Sequence, residues 1–216
     1  MNTLDTIAAI ATAHGHSGVG IIRVSGANVL NLIKHFFIKK LKPRLATNRK
    51  IKDKNGNIID DVIAIYYQAP KSYTGEEMLE IQTHGNPVIL ETILNEIILG
   101  HARLAKPGEF TERAFLNNKI DLTQAEAVAD LIFSSNTIAA KAACASLQGK
   151  FSTKITELIN NFISLRAEIE AAIDFPEDEI PKKSKAIINN QLGRLISGTE
   201  DIIRTAKKGV KLNEQY

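Results

Sequence analysis

The sequence predicts an α+β domain over residues 1–118, followed by an antiparallel all-α assembly over residues 119–216. Three observations carry that expectation. The first half mixes apolar residues at every second position with others three or four apart, as strands and helices respectively require. From Leu122 onward the helical period runs alone. The later helices also space their apolar residues alternately four and three apart, a seam that calls for partner helices.

Along the chain, "TIAAIAT" (Thr6 to Thr12) and "VGIIRVS" (Val19 to Ser25) read as buried strands joined by the glycine-rich "HGHSG". Ser25 is placed to cap a helix with apolar positions at Val29, Leu30, Ile33, Phe36 and Phe37. Two strand-like runs then flank Asn55-Gly56, a dipeptide suited to a two-residue hairpin turn because both residues tolerate positive φ. In "MLEIQTHG", Leu79, Ile81 and Thr83 point one way and Glu80, Gln82 and His84 the other, so one face of this strand is chemical. Asn86 and Pro87 open a helix with a buried stripe of Leu90, Ile93, Leu94 and Ile97, and Gly100 ends it. Asn117-Asn118 reads as the left-handed end of a short helix, with Asp121 near the next N-terminus. Thr123 and Glu126 form a capping box for a helix that passes Val128, Ala129 and Ile132 into a run of alanines. A second long helix carries Phe151, Ile155, Leu158, Phe162, Leu165 and Ile169 until Pro176 breaks it. A third, from about Ser184, carries Ile188, Leu192, Leu195, Thr199, Ile202 and Ala206.

Composition bounds the function classes. A chain of 216 residues with 44% hydrophobic content builds a core. The N-terminus shows no charged leader with an apolar core, and no apolar run approaches the roughly 18 residues that span a bilayer. A cytoplasmic protein with no membrane association is the expectation. The lone Cys144 sits in an alanine-rich helical pattern and reads as a packing thiol. The net charge of +3 arises in the first half, notably at Lys39, Lys40, Lys42, Arg44, Arg49, Lys50 and Lys52. With no aromatic residues interleaved to stack bases, that run reads as a solvated surface in preference to an RNA contact.

Several motifs invite a nucleotide reading and fail it. Gly15 and Gly20 have the separation of a phosphate loop, but Ile21 and Ile22 stand where its lysine and hydroxyl belong. "DKNG" is explained as a turn, and "NKID" has no phosphate loop upstream to supply a nucleotide. His14 and His16 supply at most half a metal set, so no metal site is expected. For His84 a hydrogen-bonded structural role and a ligand contact stay equally open. The acidic "DFPEDE" lacks the glycine turn and ligand spacing of a calcium loop. Arg23, Glu80 and Lys119 remain, as a structural ion pair, exposed charges or ligand contacts.

The strings "DTIAAIAT", "GVGIIRVSG", "PKSYTGEEMLEIQTHGNP", "ARLAKPGEFTERAFLNNKIDLTQAEAVADLI" and "EAAIDFPEDEI" closely resemble the N-terminal region of the tRNA-modification GTPase family MnmE, also called TrmE. The resemblance runs collinearly along essentially the whole chain. It implies an N-terminal α+β domain, a mixed sheet with flanking helices similar to the folate-binding domains of aminomethyltransferases, that binds 5-formyltetrahydrofolate and forms the homodimer. It also implies that the helical bundle is incomplete, because family members interrupt it with a GTPase domain and complete it with a C-terminal segment. GTP, magnesium and potassium would belong to that GTPase domain, which is expected to begin about where these 216 residues end. With the flavoprotein MnmG (GidA), the family adds an aminomethyl-type group at carbon 5 of the wobble uridine of certain tRNAs.

Carried over by motif, Arg23 in "GIIRVSG", Glu80 in "EMLEIQTHG" and Lys119 in "LNNKIDL" match the family's folate-binding positions. The sequence departs from the family at "HGHSG", where many members read "PGRGG", and at "HGN", where they read "HGG". These departures raise a second reading, a dimerisation scaffold with an impaired folate pocket. A third is a free-standing folate-dependent aminomethyltransferase.

Overall fold

Alternating apolar and polar side chains build the central strands of a six-stranded sheet in the computed structural model, which describes residues 5–37, 40–99, 102–174 and 182–213. The elements fall into two compact units, Met1–Ile120 and Asp121–Tyr216.

In the first unit the strands are β1 (Ile7–Ile10), β2 (Ser17–Ser25), β3 (Thr47–Lys52), β4 (Ile58–Tyr67), β5 (Met78–Gly85) and β6 (Arg103–Leu104). Their order is β3-β4-β5-β2-β1-β6, antiparallel except for the parallel β1–β6 pair, so the sheet is mixed. Two helices, α1 (Val29–Phe36) and α2 (Pro87–Ile98), cover one face. Ile22 and Val24 of β2, Val62 and Ala64 of β4, and Leu79 and Ile81 of β5 are buried there against Leu32, Leu90, Ile93 and Ile97. A strand's side-chain period of two then sends Arg23, Tyr67 and Glu80 to the opposite face. There α3 (Glu109–Leu116) and the loop from Gln68 to Glu77 provide the neighbouring groups.

Several local expectations change. Ser25 does not cap α1. Its hydroxyl bonds Thr74 Oγ1 at 2.7 Å and Glu76 Oε2 at 2.8 Å, while Asn28 takes the cap position without a side-chain capping bond, its Oδ1 accepting instead from Asn31 Nδ2 at 2.9 Å. Leu30 is exposed and Leu32 is buried in its place. The Asn55-Gly56 hairpin has a three-residue loop, because the Asp53 amide bonds the Asn57 carbonyl at 2.9 Å and Gly56 alone takes positive φ, at 86°. The Asp53 carboxylate, accepting from the Asn55 and Asn57 amides, sets that geometry. Asn86 caps α2 by accepting from the Val88 amide at 2.9 Å, with Pro87 in the first turn, as expected. Asn118 takes φ of 55° after α3, also as expected. Gly100, His101 and Lys39 lie outside the described residues, as do Phe175 to Glu179 of the acidic string.

The second unit holds α4 (Leu122–Phe133), α5 (Thr137–Leu147), α6 (Lys150–Asp174) and α7 (Lys182–Asn213). The capping box of α4 uses Asp121 and Gln124, two residues earlier than the Thr123–Glu126 pair expected. The alanine run is a separate helix, started by Asn136, whose side chain accepts from the Ala139 amide at 2.8 Å. Ala127, Ala139, Ala143, Leu165 and Leu195 are buried, yet Phe133 is 83% and Ile132 71% exposed, and Phe162, Leu192 and Ile203 are also open to solvent. The seams therefore present apolar faces larger than these helices cover themselves. A cavity of about 800 Å³ lies among α5, α6 and α7, lined by residues that include Phe151, Leu158, Leu195 and Ile202. No helix among the described residues is long and apolar enough to cross a membrane.

Candidate functional site

Arg23 on β2 and Glu80 on β5 are direct cross-strand partners, although 57 residues separate them in sequence. The Arg23 guanidinium donates from Nε to Glu80 Oε1 at 2.9 Å, and its Nη2 lies 2.8 Å from the same oxygen as an ion pair. Their side chains are 28% and 13% exposed, so the pair borders solvent without lying in it. The second oxygen, Oε2, receives only a long bond from the Tyr67 hydroxyl at 3.3 Å. Burial and then the Glu80 charge push the Tyr67 hydroxyl up, with Arg23 and Arg44 pulling the other way.

Two aromatic rings flank the cation. The Arg23 guanidinium carbon lies 5.3 Å from the ring centre of Tyr73 and 5.7 Å from that of Phe110, within the range of cation–π attraction. Tyr73 is set by a hydroxyl contact with Thr111 at 2.9 Å. Its loop is tied down along its length. Asn117 donates to the Thr74 carbonyl at 2.7 Å, Lys119 Nζ to the Pro70 carbonyl at 3.0 Å, and Arg44 Nη2 to the Lys71 carbonyl at 3.0 Å. Lys119 thus holds the loop that carries Tyr73, and it makes no direct contact with the Arg23–Glu80 pair. Of the three residues singled out in the sequence, two meet and the third acts on the same loop.

Behind the loop lies an ion network that sequence reading missed. Arg113 reaches Asp5 Oδ1 at 2.6 Å, Glu109 Oε1 at 3.0 Å and Glu76 at 3.2 Å. Arg103 grips both oxygens of Glu109, at 2.5 and 2.8 Å, and donates to Asp5 at 2.6 Å. Hydrogen bonds from Arg103, opposed by burial and aided by the Lys106 amide and Arg113, bring the Glu109 carboxyl down to about 2. The network joins α3, which carries Phe110 and Thr111, to the loop at Glu76 and to the chain before β1. Only the Glu109–Arg113 spacing of four was available as a local signal, inside the string "PGEFTERAF".

His84 is hydrogen-bonded, with its side chain 70% exposed. Its Nδ1 lies 2.8 Å from Asp60 Oδ1, and its amide donates to Asp60 Oδ2, which also binds the Thr83 hydroxyl. Against the upward push of burial, these bonds hold the Asp60 carboxyl below the usual carboxylate range. Among the described residues, no group of three or more His, Cys, Asp and Glu side chains comes together as a metal site. The two departures from the family pattern meet in space: Ser17 pairs with Gly85, the neighbour of Asn86. Five residues of β5 separate Gly85 from Glu80, about 17 Å at the rise of an extended strand.

Residues 6–119 match the family model described as "GTP-binding protein TrmE N-terminus", and residues 122–214 match that of the "MnmE helical domain". A protein named "tRNA modification GTPase MnmE" from Saccharophagus degradans is 50% identical over 212 residues, covering 98% of this chain and 46% of that protein. Proteins of the same name from Francisella tularensis subsp. novicida and Legionella pneumophila (strain Philadelphia 1) are 50% and 48% identical, over 99% and 98% of this chain and 47% and 48% of their own lengths. The chain spans about half the length of the curated relatives it matches.

Proposed function

The chain belongs to the MnmE (TrmE) family of tRNA-modification GTPases, and from that premise we propose that its first unit is the folate-binding and dimerising part of a tRNA-modifying enzyme. The ligand is 5-formyltetrahydrofolate, which when bound supplies a one-carbon unit. The partners are a second copy of the chain, the flavoprotein MnmG (GidA) and tRNA. The group added is of aminomethyl type, at carbon 5 of the wobble uridine, and the compartment is the cytoplasm. GTP, magnesium and potassium belong to the GTPase domain of the family, whose phosphate loop does not occur in these 216 residues.

The observation that carries this reading is the Arg23–Glu80 pair on the sheet face opposite α1 and α2, flanked by two aromatic rings. A pterin ring offers an amino-amidine edge, which a carboxylate receives as paired hydrogen bonds. Glu80 suits that role because Arg23 orients it through Oε1 while Oε2 retains capacity to accept. Tyr73 and Phe110 supply apolar walls for a flat ring. Lys119 braces the loop and brings a positive charge toward the anionic end of the ligand. The donor set fits the group.

The departures at Ser17 and Asn86 lie about 17 Å along the sheet from Glu80, a separation that supports an intact pocket over an impaired one. The exposed apolar faces of α4 to α7 suit a helical domain completed by a further segment of the polypeptide, as the family pattern implies. Calorimetric titration of 5-formyltetrahydrofolate tests the ligand. Glu80→Ala should abolish measurable binding while leaving the fold intact, and unchanged affinity in that variant would sink the assignment. One-carbon transfer by the chain without any partner would favour the free-standing transferase instead.

A further inference from the structure

Arg44 is the one described residue of the first unit, apart from Asn118, that is not glycine and yet takes positive φ, at 60°. An arginine adopts that left-handed geometry at a cost, so its surroundings must impose it. Here the Arg44 amide donates to the Tyr66 carbonyl at 2.7 Å, and Pro43 forms a bridge with Tyr66 at the end of β4. The side chain is exposed, and its guanidinium reaches across to the Lys71 carbonyl at 3.0 Å.

The neighbouring carbonyl, that of Pro70, is bound by Lys119 at 3.0 Å. Two cations therefore sit on consecutive carbonyls of one loop, which holds them within roughly 15 Å of each other at the widest. Among the described residues neither has a carboxylate within ion-pair distance, whereas Arg23, Arg103 and Arg113 of the same unit have one, two and three respectively. Both bonds go to neutral carbonyls and both side chains are exposed, so each cation is open to an anionic ligand. The pair also belongs to the site. Arg44 acts electrostatically on Tyr67, whose hydroxyl reaches Glu80, and the Lys119 stem lies against Gly75, two residues past Tyr73.

We infer that Arg44 completes, with Lys119, a clamp for the glutamyl carboxylates of the folate, and thereby selects ligands with that tail over tail-less ones. This rests on the folate reading above. Glu80 then reads the ring while the two cations on the loop read the tail. A guanidinium binds a carboxylate through a planar fork and a lysine binds it as a point charge, so the two cations suit a tail with two carboxylates. The lysine residues at 40, 42 and 71, all exposed, extend the same positive surface.

The test compares 5-formyltetrahydrofolate with 5-formyltetrahydropteroate, the same molecule without its glutamate, by calorimetry on the full chain. Arg44→Gly removes the guanidinium while favouring the observed φ, so folding is not at risk. It should weaken 5-formyltetrahydrofolate roughly tenfold, the loss of one charge-assisted contact, and leave the tail-less ligand unchanged. Arg44→Glu should weaken the glutamyl ligand further, and Arg44→Lys should restore part of the affinity. Equal weakening of both ligands, or of neither, overturns the clamp. Failure of the unaltered chain to bind either ligand, or full binding of both by Glu80→Ala, removes the folate reading and the clamp with it.

Discussion

Replacing Glu109 by glutamine keeps the shape of the side chain and removes its charge from the centre of the ion network. The carboxyl accepts four bonds, two from Arg103, one from Arg113 and one from the Lys106 amide, and its side chain is only 7% exposed. Its pKa falls from an ordinary 4.5 to about 2. A drop of that size corresponds to about 3 kcal/mol at neutral pH. Because the folded value is the lower one, the contribution is fully present above about pH 4.5 and is lost as the pH falls toward 2. At pH 3 roughly 1.4 kcal/mol of it should remain. Urea unfolding, followed on the unaltered chain and on Glu109→Gln, reads the difference directly. With a slope near 2 kcal/mol per molar, the midpoint should move by about 1.5 M at pH 7 and by about half of that at pH 3. An equal shift at the two pH values would show that the loss does not follow the ionisation of Glu109 and refute the electrostatic account.

Two further outcomes follow from packing. A methyl group at Gly85 would stand 2.1 Å from Ser17 Oγ and 2.5 Å from the Ser17 carbonyl oxygen, so Gly85→Ala should cost about 1–3 kcal/mol in urea unfolding. Adding Ser17→Gly should recover only part of the loss, since the carbonyl clash persists, and full recovery would contradict the backbone origin of the strain. Phe133 projects into solvent from the end of α4, so Phe133→Ser should leave stability within about 0.5 kcal/mol while raising solubility at high concentration. A large loss of thermal stability would mean that the ring is covered.

Local chemistry made some of this legible. The alternation in β5 placed Glu80 on the face opposite the core, because a strand's side-chain period does not depend on its partners. Asn86 and Pro87 started α2 for reasons contained in four residues. Other signals were overridden. The Ser25 hydroxyl, well placed for a cap, found stronger partners 49 and 51 residues away. The break between α4 and α5 carries no proline or glycine and is fixed by the Asn136 side chain, so an unbroken alanine pattern concealed it. The hairpin at Asn55-Gly56 was plain, but its loop length followed from a carboxylate at Asp53 accepting two amides.

The sequence by itself determined which residues were available for the site: a cation in a buried strand, a carboxylate on the polar face of another and a lysine after a short helix. It also determined the family, through irregular polar strings such as "PGEFTERAFLN". The tertiary structure decided which of them meet. Sheet register set Arg23 against Glu80, the loop at 68–77 brought Tyr73 and Lys119 to the same place, and Arg113 gathered carboxylates from Asp5, Glu76 and Glu109. Charge pairing acts over a few ångströms in space, and chain separations of 57 and 108 residues leave no periodic trace for it in the sequence.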